Sequence, residues 1–169
     1  GPGIEGVLLL GGSGDDLLIG SPHIDQLNGS AGNDTLLGGS SIDRLDGGDG
    51  IDFVEITGTN IVLTDASAPG ANGDTLVSIE GLQLIASGAT SLIDASGYTL
   101  GPVTIIGSSG NDTLKGGAGD DIILAGSGSD VVTGGAGDDF IVGGAGNDSL
   151  SGNEGDDTTI GGRGRDTIE

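Results

Sequence analysis

The sequence predicts an all-β fold, a parallel β-roll or β-helix in which two nine-residue units complete one coil. The first observation is a strict period of nine in residues 107–169, where seven units follow one another without insertion or deletion. The second is that fixed positions of each unit carry glycine, aspartate and an aliphatic residue. The third is that glycine-rich turns alternate with short aliphatic or β-branched runs, which favours many short strands.

The units share one internal order. Position four is glycine and position six is aspartate in all seven, and position eight is aliphatic in all but one, which carries Thr159. Glycine turns easily through positive φ and exposes backbone carbonyls. The three residues after the aspartate suit a very short strand whose middle side chain points inward. Position eight is therefore predicted to form the core: Leu114, Ile123, Val132, Ile141, Leu150 and Ile168.

An earlier block of five units runs from Gly11 to Glu55, and its inward residues are Leu18, Leu27, Leu36, Leu45 and Val54. Units one, three and five keep glycine at position four. His23 and Ser41 replace it in units two and four. Those two loops would need positive φ at residues other than glycine, so the rim that they form is predicted to be the weaker one. His23, without a second histidine or a cysteine, is interpreted as a loop residue rather than a metal ligand.

The chain divides into four segments on this pattern: residues 1–10 (a cleavage scar, Gly1-Pro2, and a lead-in), 11–55 (block 1), 56–106 (an irregular insert) and 107–169 (block 2). We expect the chain to be a fragment of a longer protein. The offset between the blocks is not a multiple of nine, so the second needs a change of register. Short apolar runs in the insert predict about three irregular, metal-free β-helical coils of seventeen residues, with a compact plug or linker as the alternative. Asp65, Asp74 and Asp94 are interpreted as turn or cap residues.

The position-six aspartates predict a metal site between successive loops of each rim. Two units per coil place residues i and i+18 about 4.8 Å apart, which is the spacing of paired strands. Two carboxylates with several backbone carbonyls, and no histidine or cysteine, suit Ca²⁺. About seven to eight calcium ions are expected. The predicted pairs are Asp16/Asp34, Asp34/Asp52, Asp25/Asp43, Asp112/Asp130, Asp130/Asp148, Asp148/Asp166, Asp121/Asp139 and Asp139/Asp157.

The charge of the chain fits this interpretation. A formal net charge of -22 with only four Lys and Arg makes nucleic acid an unsuitable partner. No apolar run approaches the roughly 18 residues of a membrane span, and no cysteine is present. The apolar core is too small to offset the backbone entropy of a glycine-rich chain. Bound metal is therefore expected to supply stability. Without metal the composition predicts disorder.

The repeated motif GGxGxDxUx resembles the RTX, or haemolysin-type, calcium-binding nonapeptide repeat. The resemblance covers twelve units, or 108 of the 169 residues. It implies a calcium-binding structural module rather than an enzyme, from a secreted bacterial protein that leaves the cell by type I secretion and folds in extracellular calcium. It also implies that the aspartates are the metal ligands: Asp16, Asp25, Asp34, Asp43, Asp52, Asp112, Asp121, Asp130, Asp139, Asp148, Asp157 and Asp166.

Two other functions remain open from the sequence. A carbohydrate-acting β-helical enzyme would need paired acids in distinct environments beside a cleft, and the strong aspartates here already belong to the metal positions. An adhesive or ice-binding surface would need a flat, regular outward array, typically rich in threonine. Positions seven and nine mix threonine with isoleucine, phenylalanine, serine and lysine.

Positions seven and nine should face solvent, and one sheet is much more apolar there than the other. A contiguous exposed apolar strip typically marks an interface. Self-association, or packing against a flanking segment, is therefore predicted; ordinary strand residues left exposed on a narrow module are the alternative. The apolar positions are Leu17, Ile19, Leu37, Phe53, Ile122, Leu124, Phe140 and Val142.

Overall fold

The computed structural model describes residues 6–39, 43–58, 60–64 and 75–169, and these residues form eighteen β-strands and no helix. The interpretations of Gly1-Pro2, Ser41, Asp65 and Asp74 concern residues outside those ranges. The all-β prediction is confirmed for the described part of the chain. The strands are β1 Leu8–Ser13, β2 Leu17–Ile19, β3 Gln26–Ala31, β4 Thr35–Leu37, β5 Arg44–Asp49, β6 Phe53–Gly58, β7 Asn60–Thr64, β8 Thr75–Val77, β9 Gly81–Ala86, β10 Leu92–Gly97, β11 Val103–Ile106, β12 Thr113–Lys115, β13 Ile122–Ser127, β14 Val131–Ala136, β15 Phe140–Ala145, β16 Ser149–Glu154, β17 Thr158–Arg163 and β18 Thr167–Ile168.

Three parallel sheets wind into a solenoid. One face is a single eight-stranded sheet in the order β2-β4-β6-β9-β11-β13-β15-β17. The opposite face is divided into a four-stranded sheet, β1-β3-β5-β8, and a six-stranded sheet, β7-β10-β12-β14-β16-β18. Every strand pairing in these sheets is parallel. The chain is thus a β-roll whose loops line two rims between the faces.

The register within both blocks confirms that two nine-residue units complete one coil. Leu18 pairs with Leu36 in block 1, and Ile123 pairs with Ile141 in block 2. Each position-eight side chain therefore stacks on the equivalent side chain of the next coil. The resulting core includes a row of aliphatic position-eight residues under each sheet, with Leu36, Leu45, Leu114 and Ile123 all at 0% exposure.

Many strands are longer than the sequence pattern predicts. Strands such as β13 and β15 have six residues and continue into positions one to three of the next unit. Position one is consequently a second inward position, filled by buried residues such as Ala125 and Gly134. Ile168 was predicted to be core but is 53% exposed, because β18 is the edge strand of its sheet.

The insert carries the solenoid from one block to the next, because β9 and β11 lie inside the eight-stranded sheet. The prediction of three coils of seventeen residues is wrong. Val54 pairs with Leu82, and Leu84 pairs with Ile105, so both of these coils are longer than predicted and also longer than the coils of the blocks. The first coil is the longer of the two because β7 and β8 both lie between β6 and β9 and both belong to the opposite face.

The register change that the sequence requires is a slip of two residues. Val54, at position eight of block 1, aligns through Leu82 with Val103, whereas Ile123, at position eight of block 2, aligns with Ile105. A slip by an even number keeps each side chain on its own side of the sheet. The core therefore continues without a break through buried Leu82, Leu84, Ile93, Val103 and Ile105.

Candidate metal centre

The position-six aspartates lie beside the core at the two rims. Three of the twelve, Asp16, Asp157 and Asp166, are half-buried and belong to coils near the ends of the stack. Carboxylates are almost never fully buried unless they are paired or bind a metal. The other nine are at most 2% exposed: Asp25, Asp34, Asp43, Asp52, Asp112, Asp121, Asp130, Asp139 and Asp148.

One hydrogen bond repeats along each rim and aligns every predicted pair. The backbone N–H of each aspartate donates to Oδ1 of its partner in the next coil, at 2.8 to 3.1 Å. All eight pairs expected from the sequence are joined in this way. This bond satisfies Oδ1 of each carboxylate. What the site can bind therefore depends on the surroundings of the second oxygen, Oδ2.

In six of the twelve loops that second oxygen is buried without a donor. A buried acceptor without a hydrogen bond costs roughly 1–3 kcal/mol, and more when it is charged. Such atoms are rare in folded proteins and call for an explanation, of which an ion is one. Among the described residues, Oδ2 of the following position-six aspartates is in this state: Asp16, Asp34, Asp52, Asp130, Asp139 and Asp148.

The same oxygens lie beside backbone carbonyls of the next coil. A Cβ placed on Gly29 would lie 2.0 Å from Oδ2 of Asp34 and 2.6 Å from the carbonyl oxygen of Gly47. At Gly134 the corresponding distances, to Asp139 and to Gly152, are 2.1 and 2.8 Å. Two acceptors therefore face each other across a point that a side chain would fill, and a cation at such a point satisfies both.

The loops named above, whose Oδ2 has no donor, all have positive φ at positions two and four. Gly32, at position four, has φ 138° and packs against the carbonyl of Gly14 in the preceding coil. At position two, Ser30 and Asn153 adopt φ of 82° and 79°. Asparagine tolerates this region better than most residues.

Three aspartates have a different environment, which the repeat pattern of the sequence does not predict. Oδ2 of Asp112 accepts the backbone N–H of Ser108 at 2.7 Å, and Oδ2 of Asp121 accepts that of Gly117 at 2.6 Å. Oδ2 of Asp25 likewise accepts the N–H of Ser21. We call these three loops closed, and the loops whose Oδ2 has no donor open.

The closed loops begin their runs of position-six aspartates. In the coil before each, the residue whose N–H donates to Oδ1 is not an aspartate but Val7, Ser91 or Val103. The missing glycine at position four of unit two cannot explain closure in general, because the closed loops of Asp112 and Asp121 keep Gly110 and Gly119. Each closed loop instead follows a coil in which the corresponding residue carries no carboxylate. Asp16, at the first coil, is an exception, because its loop is open.

Burial and mutual repulsion make several of these carboxyls reluctant to ionise. Burial raises the pKa of Asp121 to about 6. The negative charges of Asp139 and Asp120 also raise this pKa, whereas the backbone N–H groups that donate to Asp121 lower it. Burial also raises the pKa of Asp130 and Asp139, with repulsion from neighbouring aspartates contributing. The same holds for Asp43 and Asp52. In Asp25, burial is outweighed by the N–H groups of Ser21 and Val7, so its pKa is lowered.

A second, exposed ladder at position five was also missed. The N–H of Asp138 donates to Oδ1 of Asp120, and the N–H of Asp156 donates to Oδ1 of Asp138, each at 2.9 Å. These bonds run in the opposite sense to those at position six, from the later coil to the earlier. The preference for Asp, Asn or Ser at position five was the signal available in the sequence. The hydrogen bonds at position five tie neighbouring loops together.

The donor set consists of oxygen atoms alone. Within the described ranges no three His, Cys, Asp or Glu side chains group together as a metal cluster, so each site would draw on carboxylates and backbone carbonyls. Six to eight oxygen ligands in a flexible arrangement suit Ca²⁺, whereas Mg²⁺ demands a stricter octahedron. The open loops fit calcium.

Fold and site together define a calcium-binding β-roll, a structural repeat rather than an enzyme fold. The profile of the RTX calcium-binding nonapeptide repeat matches residues 8–36, 19–54, 104–132 and 133–168, which is more than half of the chain. The chain belongs to this family. The search of curated proteins found no match to this chain. Throughout the described segments, no helix has the length and apolar character needed to cross a bilayer.

Proposed function

We propose that the twelve position-six aspartates hold about seven to eight calcium ions between successive loops, and that these ions complete the fold. The supporting observation is the row of buried Oδ2 atoms that lack a hydrogen-bond donor and face carbonyls of the next coil. Each ion would bridge two coils, so that the metal does along the rims what apolar contacts do between the sheets.

Folding and calcium binding are then one process. The unfolded chain does not hold the loops of successive coils in register, so binding free energy becomes folding free energy. At pH 7 and without metal, carboxylates of successive coils would lie next to one another along both rims. Filling eight sites would move the formal charge from -22 to about -6.

A calcium titration followed by far-UV circular dichroism tests this proposal. We expect mostly coil in chelator, cooperative gain of β-structure on adding Ca²⁺, and little change with Mg²⁺ at the same concentration. Equal sheet content in chelator and in calcium would contradict the proposal. Equilibrium dialysis on the same samples gives the number of ions bound.

The setting that we propose for this module is a bacterial protein secreted by a type I system. RTX repeat proteins are typically secreted, and extracellular calcium is in the millimolar range that weak structural sites require. The chain would cross the export channel unfolded and fold outside. Resistance to protease at 1 mM but not at 1 μM calcium is the expected signature.

We also propose the division into two calcium-binding blocks, residues 11–55 and 107–169, and a lead-in, residues 1–10, with the insert 56–106 as the connection. The support is the change of coil length between the blocks, where Val54 pairs with Leu82 and Leu84 pairs with Ile105 instead of following the two-unit register. Limited proteolysis at intermediate calcium should cut within 56–106 before it cuts within either block.

The apolar outward face is proposed as a contact between copies of this chain. On the eight-stranded sheet, Ile85, Ile106, Leu124, Val142 and Ile160 align on adjacent strands. Beside them, Ile122 and Phe140 are 45% and 39% exposed. Positions seven and nine of these strands carry no charge, so the repulsion between acidic rims is least here. The neighbouring part of this face in block 1 adds Leu17, Ile19, Leu37 and Phe53.

Light scattering in calcium tests this contact. We expect a concentration-dependent dimer whose dissociation constant rises at least tenfold in Phe140→Ser. The matched control, Val131→Ser, changes a 50% exposed residue on the opposite face and should leave the constant unchanged. A strict monomer, unaffected by either substitution, would contradict the proposal.

A further inference from the structure

We propose that Asp52, Ser78 and Glu80 form an additional calcium site at the junction between block 1 and the insert. This inference rests on the proposed calcium binding and extends it beyond the nonapeptide repeats, whose match in this block ends at residue 54. The site would use a glutamate from an irregular coil in place of the aspartate of a repeat.

Glu80 continues the hydrogen-bond ladder of its rim. The N–H of Asp16 donates to Asp34 and the N–H of Asp34 donates to Asp52, each at 2.8 Å. The N–H of Asp52 then donates to Oε2 of Glu80 at 2.9 Å. The backbone agrees, because the N–H of Gly81 donates to the carbonyl of Asp52 at 2.8 Å, as that of Phe53 does to Asp34. Glu80 therefore occupies position six of the next coil.

Ser78 supplies the carbonyl that a repeat supplies from position one. A Cβ placed on Gly47 would lie 2.3 Å from Oδ2 of Asp52 and 2.3 Å from the carbonyl oxygen of Ser78. This matches the arrangement around Gly29 in the preceding coil of the same rim. Ser78 has φ 51°, an unusual conformation for serine and one shared in sign with the open loops.

The second oxygen of Asp52 is directed into this point and has no donor. Asp52 is 0% exposed, and its Oδ2 is buried without a hydrogen-bond partner. Oδ1 of Asp52 already accepts the N–H of Asp34. A buried carboxylate oxygen and a carbonyl oxygen face one point, and the N–H of Asp52 holds the carboxylate of Glu80 on the same rim. A set of oxygen atoms suits a hard divalent cation.

The connecting loop is short and held in place. β8 ends at Val77 and β9 begins at Gly81, so three residues replace the six that occupy positions one to six of a repeat. The hydroxyl of Tyr98 donates to the carbonyl of Ile79 at 2.8 Å, and Tyr98 is 1% exposed. A shorter loop offers fewer carbonyls, and Glu80 is exposed to solvent. Water would complete the coordination shell, so this site should be weaker than the repeat sites.

Calcium stoichiometry tests the proposal directly. Equilibrium dialysis with radioactive calcium, on the whole chain at saturating concentration, compares the unmodified protein with Glu80→Gln and with Glu55→Gln. Glu55 lies on the adjacent strand β6 and is half-buried on its outward side, so it controls for the loss of one charge. We expect one ion fewer per chain in Glu80→Gln and no change in Glu55→Gln. Equal stoichiometry in both variants would overturn the inference.

A second measurement does not depend on a variant that folds. A crystal of the unmodified protein grown in calcium should show an anomalous-scattering peak between Asp52 and Glu80 in addition to those at the repeat rims. Peaks at the rims without one here would refute this site while leaving the proposed function intact. If the unmodified protein bound no calcium at all, the proposed function itself would fail.

Discussion

An aspartate at position six can satisfy its second oxygen in two ways, and the local backbone decides between them. In a closed loop the N–H of position two turns inward and takes that oxygen, as Ser108 does for Asp112. In an open loop position two has positive φ, as Gly126 does with φ 108°, and Oδ2 of Asp130 is left without a donor. In the second arrangement Oδ2 is available to a metal without losing a hydrogen bond, so an open aspartate should contribute more to calcium binding than a closed one.

The difference predicts different effects of substitution at two adjacent aspartates of one rim. Asp130→Asn removes the charge from an open loop but can still accept the N–H of Asp112, so we expect the calcium midpoint for folding to rise by about tenfold, equivalent to about 1.4 kcal/mol. Asp112→Asn places an amide N–H₂ or a weaker acceptor against the N–H of Ser108, so it should lower stability even in saturating calcium. Titrations and urea unfolding in 10 mM calcium measure the two effects.

That pair of variants also separates metal ligation from simple loop structure. If Asp112→Asn raised the calcium midpoint as much as Asp130→Asn, and left stability in saturating calcium unchanged, the distinction between closed and open loops would be wrong. Ser108→Ala retains the N–H donor and removes only the side-chain hydroxyl, so it controls for the additional bond from Ser108 Oγ to Asp112.

Acid should favour the metal-free fold and oppose calcium. The pKa of Asp121 is raised from 3.8 to about 6 by burial and by the charges of Asp139 and Asp120. The folded state therefore binds this proton more tightly than the unfolded chain. Its contribution to stability is fully present below about pH 4 and is lost as the pH rises through about 6. In calcium-free buffer we expect more β-structure at pH 5 than at pH 7.5 by circular dichroism.

The same protons compete with calcium, so the calcium midpoint should rise as the pH falls from 7.5 to 5.5. Asp121→Asn removes one of the groups concerned and should reduce the pH dependence of the metal-free fold. A calcium-free chain with identical spectra at pH 5 and 7.5 would show that buried carboxyls do not control its folding.

The position-six aspartates and their pairing across two units could be predicted from the sequence because both follow from an unbroken period of nine. Glu80 could not, because its spacing from Asp52 is not a multiple of nine and no repeat surrounds it. Nor could the closed loops of Asp112 and Asp121, because their sequences keep the same glycines as open ones. Each of these closed loops follows a coil whose corresponding residue is Ser91 or Val103 rather than an aspartate, a contact that only the three-dimensional stack reveals.

At the scale of the strand, alternation separates core from surface between adjacent residues. Ile123 is fully buried and Ile122 is 45% exposed on the same strand, β13. Ile123→Ala should destabilise the calcium-bound fold by roughly 2–5 kcal/mol, as expected for a large-to-small change in a packed core. Ile122→Ala should stay within about 0.5 kcal/mol, as surface substitutions do.

Urea unfolding in saturating calcium, at a protein concentration below that of any self-association, measures both values. The two residues share strand propensity and local sequence, so the comparison isolates burial. Similar losses for Ile122→Ala and Ile123→Ala would mean that the core does not follow the position-eight register.

The insert shows why strand existence was easier to predict than coil length. Apolar runs marked β7, β9, β10 and β11, because inward and outward residues alternate there as in the blocks. β8, which is very short, gave no comparable signal. Coil length depends on which earlier strand each run pairs with. The local sequence does not indicate the pairings of Val54 with Leu82, Leu45 with Leu76 and Ile61 with Ile93.

For the whole molecule, charge and shape should change together when calcium binds. With a formal charge of -22, the metal-free chain repels itself and should approach the size of an unfolded chain, a radius of gyration of about 43 Å for this length. Calcium should reduce it to about 16 Å, close to the compact value, and small-angle X-ray scattering measures both. Sodium chloride at matched ionic strength is the control, because it screens the same charges without bridging the loops. Contraction by sodium chloride equal to that by calcium would show that screening alone folds the chain and would remove the need for ions at the rims.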